Sequence, residues 1–367
     1  MIANRKNIVG LGLAIAAAWV GELRAGNPER QGQAGAAQLT INSWGRSSGL
    51  GYAYGGMVRG SEAMYLNVAG LSRLDNATEL SFYRTDWLRG SGIGINTLGF
   101  AQKLNGGEGG TLGISVMQFG IKPIDQTTEQ NPYGGIGPYR VNMTNIAVAY
   151  SKTFSNAISA GVVLRSVAEG IPDAQANGIT FDAGVQYMTT LKPGNKAKKK
   201  DDFKFGISMK NIGPDMKHEG DGLSYKAILD NGSFSKTMQV KVERIKMPSF
   251  LNIAASYDMK LDKDPDQYDN KLTAAFAFTN FAFSANQTSV GLEYTYKNML
   301  SLRGGFVYQE GVMDPDNRTS AFTGLQGGLS YLWTGEDKTQ ISLDYSYRAT
   351  NPFNGVHTLG VRMGFGE

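Results

Sequence analysis

The sequence predicts an all-β fold: a closed transmembrane antiparallel β-barrel of fourteen strands with a short N-terminal plug-like segment. Three observations predict it. The chain opens with an export-type segment, alternating apolar and polar residues recur from Thr78 to Phe365, and Tyr and Phe gather near the ends of the alternating runs. A soluble antiparallel sheet can alternate in the same way. An exported β-sandwich, β-helix or propeller is therefore the alternative. The export segment, the aromatic placement and the run of strands without an intervening helix favour the barrel.

Residues 1–25 read as a signal peptide. Arg5 and Lys6 form a short basic region, an apolar stretch runs from Ile8 to Val20, and cleavage is expected after Ala25 despite Arg24. The apolar run is short for a membrane-anchoring helix. Its removal takes away three basic residues and one acidic one, so the formal net charge of +4 falls to +2. That balance gives no reason to expect nucleic acid as a partner. The chain has no Cys, which excludes a disulfide framework, a thiolate metal site, a cysteine nucleophile and a lipid anchor on cysteine. With 48 Gly but only 11 Pro, and without a three-residue period, the composition is not collagen-like.

Residues 26–74 form the plug-like segment. They are rich in Gly, Ala and polar residues, with Trp44, Leu50 and Tyr54 as packing residues. A flexible periplasmic tail is the alternative. Ser61–Leu74 reads as a short helix or turn.

Residues 75–367 form the barrel. Strand-like runs are Thr78–Arg84, Gly94–Lys103, Thr111–Gly120, Asn142–Thr153, Ala157–Val167, Ile179–Leu191, Phe203–Lys210, Leu223–Asp230, Lys236–Ile245 and Phe250–Leu261. Lys271–Thr279, Ser289–Lys297, Leu300–Gln309, Phe322–Trp333, Thr339–Arg348 and Val356–Phe365 complete the set. The Leu223–Ile245 region is the best candidate for a loop hairpin, and a bacterial barrel takes an even number, so fourteen is expected. In the clearest runs Val290, Leu292, Tyr294 and Tyr296 share one face, as do Leu343, Tyr345 and Tyr347. Leu359, Val361, Met363 and Phe365 form the apolar face of a final strand. Its aromatic end resembles the signal read by barrel-assembly machinery, although Gly366 and Glu367 follow it.

No later apolar run is long enough for a membrane helix, so a spanning chain must satisfy its backbone as a closed barrel. Loops are expected at Ile121–Tyr139, Asp262–Asn270, Tyr308–Thr319 and Pro193–Asp202. The last holds the lysine run Lys196–Lys200, a solvated hairpin or a contact for anionic lipid and lipopolysaccharide.

The stretch Ala25–Leu88 resembles the PorV/PorQ family of Bacteroidetes outer-membrane proteins. The resemblance lies in AGNPERQGQAGAAQLTINSWGRSSGLGYAY and SEAMYLNVAGLSRLDNATELSFYRTDWL, including Asn67-Val68-Ala69-Gly70-Leu71. Val68 replaces the usual proline of that motif, which loosens the match to the wider family of long-chain fatty-acid transporters of the same architecture. The resemblance implies a fourteen-stranded barrel with an internal N-terminal segment. It also implies an accessory role beside other membrane machines, in one case the type IX secretion translocon.

No catalytic, cofactor or metal residues are assigned. His218 lies in a loop and His357 opens the last strand, and neither sits beside a nucleophile motif. Gly106, Gly107, Gly109 and Gly110 lack the Lys-Ser/Thr of a phosphate loop and read as a turn. Asp182, Glu293, Arg303, Asp344, Arg348 and Arg362 fall opposite the apolar faces of their strands. They are expected in the lumen, since basic residues facing lipid at mid-membrane would cost about 2–4 kcal/mol each. Trp333 is expected at a membrane interface. Trp87 is expected there too, or against the plug.

The functional expectation is a non-enzymatic accessory, scaffold or cargo-carrier subunit of a bacterial outer-membrane complex, linked to type IX secretion. Its partners would be other outer-membrane proteins or lipoproteins, lipid, lipopolysaccharide and exported protein cargo. The alternative is a transporter of hydrophobic small molecules. A general porin is a third reading, disfavoured by the plug.

Overall fold

A computed structural model describes residues 27–191, 202–228, 235–262, 269–316 and 318–366. The expected signal segment at 1–25 and the lysine run at 196–200 lie outside the described residues.

Seven strands make the first half of the wall: β1 Thr78–Trp87, β2 Ile93–Lys103, β3 Thr111–Ile121, β4 Asn142–Thr153, β5 Ile158–Ile171, β6 Ala174–Thr189 and β7 Phe203–Ile212. Seven more complete it: β8 Phe250–Lys260, β9 Asn270–Phe281, β10 Gln287–Tyr296, β11 Leu300–Gln309, β12 Phe322–Thr334, β13 Gln340–Thr350 and β14 Val356–Phe365. Each pairs antiparallel with its sequence neighbours. The last closes on the first, from Thr78↔Phe365 to Asp86↔His357. Closure removes the free edges that a membrane cannot tolerate. The fourteen-strand expectation is met, and the final strand does close the barrel. Two of the sixteen expected runs are not wall strands. Ser224–Ile228 and Ser235–Gln239 pair with each other as a hairpin in the loop between β7 and β8.

Alternation decides which face is which. On β13, Leu343, Tyr345 and Tyr347 point outward while Ser342, Asp344 and Ser346 are buried inside. The same holds for Leu292 against Glu293 on β10 and for Leu359 against Thr358 on β14. The outward apolar band is the surface that lipid covers, and the chain is an outer-membrane barrel. Tyr150, Tyr187, Tyr296, Trp333 and Phe365 project outward near the ends of β4, β6, β10, β12 and β14. These are the ends where the connections are mostly short, as at 154–157 and 297–299. The longer connections, 122–141, 213–249 and 310–321, sit at the opposite end, which faces outward from the cell in such barrels.

The N-terminal segment runs through the lumen rather than hanging from it. It begins at the long-loop end, where Ala34 bridges Lys246 and the Arg30 guanidinium lies 4.3 Å from the Phe283 ring centroid. It then descends through short helices of one or two turns at Ala37–Thr40, Gly45–Ser48, Gly51–Gly56, Ala63–Leu66 and Val68–Arg73. Glycine and small residues explain why no longer helix forms. Leu50, Met64, Leu66 and Leu71 are almost wholly buried and supply the apolar core of the inner lumen.

Short helices leave unpaired carbonyls, and the wall supplies donors for them. Lys210 Nζ and Arg165 Nη2 both donate to the Met64 carbonyl, at 3.3 and 3.1 Å. Ser208 Oγ donates to the Leu66 carbonyl at 2.8 Å. Asp182 balances both cations, 3.1 Å from Arg165 and 2.8 Å from Lys210. Asn67 caps the last helical turn by accepting from the Ala69 N–H, and its Nδ2 donates to the Val185 carbonyl of β6 at 3.0 Å. Gly70 is required by close approach, since a Cβ there would lie 2.0 Å from the Val58 carbonyl oxygen.

Candidate functional site: the outer lumenal cavity

Above this packed floor the lumen opens into a cavity of about 450 Å³, within the size range of small-molecule sites. The floor is Tyr52 and Tyr65 of the N-terminal segment. The walls are Trp87 at the end of β1, Phe281 at the end of β9, Phe322 at the start of β12 and Arg348 near the end of β13. All four lie at the long-loop end because odd-numbered strands finish there and even-numbered ones start there. Gln31, Gly32, Ala34, Gly35 and Ala37 of the N-terminal segment and Val312 line it further.

The lining combines six aromatic residues with uncharged polar ones such as Asn42, Gln287, Gln309 and Gln326. Tyr52 packs edge-on against Phe250 and Phe281, with ring centroids 5.4 and 5.9 Å apart. Trp87 packs edge-on against Phe322 at 5.6 Å. Burial pushes the Tyr52 phenol up to about 12 and the Tyr65 phenol well above its ordinary value. Both stay neutral under physiological conditions. Arg348 is the single charged residue among the described lining residues.

The barrel wall beside this cavity is irregular. β11 and β12 pair from Leu300↔Tyr331 to Phe306↔Leu325 and no further, so Val307, Tyr308 and Gln309 have no ladder partner on that side. On the other side of β12 the register against β13 jumps between Phe322 and Gln326. Two extra residues on β12 form a bulge there. Gly324 accommodates the bulge at φ +93°, and a Cβ there would lie 2.6 Å from the Phe306 ring. Leu325 is 61% exposed on the outer surface and also lines the cavity. Inside and outside meet at this residue. Unpaired backbone at membrane depth is tolerated where it borders a cavity.

The six charged residues expected in the lumen are all there, and they do not form one site. Glu293 pairs with Arg303, and Arg362 lies 3.7 Å from Glu79. Asp344 accepts from the Tyr83 phenol at 2.9 Å. Asp182 joins the cations under the N-terminal segment. Only Arg348 faces the cavity. Trp333 projects outward, 47% exposed, as expected of an interface residue. Trp87 is turned into the cavity because Phe322 and Arg348 hold its ring. Of the two placements expected for it, the girdle is corrected and the one on the side of the N-terminal segment holds, since Trp87 shares the cavity lining with Ile41 and Asn42. His218 sits 3.5 Å from Glu169, and His357 meets the Tyr345 hydroxyl at 2.9 Å. They share no site.

Tyr52, Tyr65 and Phe322 were not marked by alternation, because a cavity is defined by separate strands and a coiled segment meeting in space. The glycines in FTGLQGG were the available signal for the bulge.

The chain matches no protein-family model and no curated protein. Among solved structures it is similar to the Pseudomonas putida toluene transporter TodX, with 10% identity, 88% of this chain and 97% of that chain covered, and a TM-score of 0.50. A Pseudomonas aeruginosa FadL homologue is 13% identical over 88% of this chain and 97% of that one, with a TM-score of 0.48. At such identities the likeness to TodX shows a shared fold. It corrects the expected role as an accessory, scaffold or cargo-carrier subunit tied to type IX secretion. The barrel that matches is a transporter, and the internal space is the size of a small molecule, far too small for a folded protein cargo.

Proposed function

We propose that this protein, without catalysis, carries hydrophobic small molecules through the outer membrane. Cargo enters the aromatic cavity from the long-loop end and leaves sideways between β11 and β12. One observation carries the reading: Leu325 lines the cavity and is exposed on the lipid-facing wall, where the strand ladder has stopped. A cargo that prefers hydrocarbon to water gains from leaving into the bilayer instead of crossing the packed floor. The N-terminal segment blocks the straight route, which disfavours a general porin. Lipid and lipopolysaccharide are the partners of the outer band. Within this architecture, the Asn67–Leu71 motif is our ground for placing the chain beside the PorV/PorQ group.

The test is a deletion of Thr323 and Gly324. It removes the two surplus residues of the bulge and restores an even register against β13. Uptake of a labelled aromatic hydrocarbon should fall to the level of cells lacking the protein, while the folded barrel keeps its heat-modifiable mobility. Unchanged uptake by the deletion variant, or no uptake by the natural chain, would overturn the reading.

A further inference from the structure

Four lumenal arginines sit against carboxylates: Arg46 with Glu62, Arg165 with Asp182, Arg303 with Glu293 and Arg362 with Glu79. Arg348 does not. The titratable groups that face it are the neutral phenols of Tyr65 and Tyr52. Its Nη2 donates to the Asn42 carbonyl at 2.8 Å. Its Nε is enclosed and has no hydrogen-bond partner among the described residues. The guanidinium lies 5.3 Å from the Trp87 ring centroid and 5.2 Å from that of Phe322.

Arg348 is partly buried and has no counter-charge beside it among the described residues, which carries a cost. Stacking on two rings offsets part of that cost and also fixes the guanidinium in place. What remains is a cation with spare donors on the edge of an aromatic cavity that contains no acid. A guanidinium matches the planar fork of a carboxylate. A flat aromatic body matches the surrounding rings.

We propose that the preferred cargo is a compact aromatic acid and that Arg348 reads its carboxylate. This rests on the transport reading and narrows it from hydrophobic molecules in general to those with one anionic group. Trp87 and Phe322 are the positioning residues, holding the guanidinium toward the cavity. The arginine, without a carboxylate partner of its own, then serves two ends: it selects the cargo, and it releases it once the acid is protonated or displaced.

The test compares naphthoate with methylnaphthalene, two ligands of nearly equal shape, by equilibrium dialysis against the full-length protein in detergent, with protein-free micelles as the blank. Naphthoate should bind more tightly by about tenfold or more, the size of one or two charge-assisted hydrogen bonds. Arg348→Met should bring the two affinities to within about twofold, and Arg348→Lys should keep part of the preference. Equal binding of the two ligands by the natural chain would overturn the inference and leave the transport reading standing. So would a naphthoate preference that survives in Arg348→Met. Binding of neither ligand would defeat both readings. The comparison on the natural chain requires no variant to fold.

Discussion

The inner and outer halves of the lumen are built on opposite rules. In the inner half the charged anchors are paired, although the buried Gln38 amide has no hydrogen-bond partner among the described residues. Asp182 lies between Arg165 and Lys210, the same two cations hold the helix carbonyl of Met64, and Glu62 holds Arg46 and the Ser47 N–H. In the outer half the space is open, the rings are numerous and the one cation has no acid. The difference separates anchoring from recognition. Satisfied polar networks rigidify what they connect. A cation beside a cavity that has no acid of its own is free to meet one that is not part of the chain. The wall is irregular in both halves: β6 and β7 shift register between Phe181 and Ala183, where Asp182 meets Arg165 and Lys210, and β11 and β12 are interrupted beside the cavity.

The comparison is broken most severely in the inner half. Asp182→Ala leaves two buried cations facing each other and should destabilise the folded barrel by about 3–5 kcal/mol, read from urea unfolding in detergent micelles. A loss below about 1 kcal/mol would mean that water reaches this cluster and that the floor is looser than described. Gly70→Ala places a methyl against the Val58 carbonyl and should cost about 1–3 kcal/mol. Its sharper readout is planar-bilayer current, which should rise as the N-terminal segment loses its seat, and a silent channel would show that the seat has other supports.

Changes in the outer half should alter binding and spare stability. Trp87→Ala removes one of the two rings over Arg348 and should weaken ligand binding by about 0.5–2 kcal/mol. Unaltered affinity would show that Phe322 alone positions the guanidinium. The smallest effect belongs to the loop hairpin. Leu223 and Val240 are already joined by a backbone hydrogen bond of 2.8 Å, so excision of 224–239 should leave stability within about 0.5 kcal/mol. A larger drop in the unfolding midpoint would show that the hairpin braces the rim.

Some of this was legible in the residues. Leu343, Tyr345 and Tyr347 against Ser342, Asp344 and Ser346 reveal a two-faced strand with no structure in hand, because the period of two is a property of the strand itself. The same alternation separated lumen from lipid for Asp182, Glu293 and Arg303. It could not separate wall strands from the hairpin at 224–239, since both alternate locally and only the membrane-facing set joins the closed sheet. Residue type leaves Trp87 open between a membrane interface and the N-terminal segment. Its true position depends on Phe322 and Arg348, each more than two hundred residues away along the chain.

By itself the sequence determined the alternation, the even set of strands, the sign of each lumenal side chain and the flexible composition of residues 26–74. Those are local properties, set by residue type and spacing. The tertiary structure decided which carboxylate meets which arginine, and hence that Arg348 meets none. It decided that the N-terminal segment packs the inner lumen and only lines the outer one, and that the ladder ends at Phe306 and Leu325. These depend on how a closed sheet brings distant strands around one axis, and no local period encodes that.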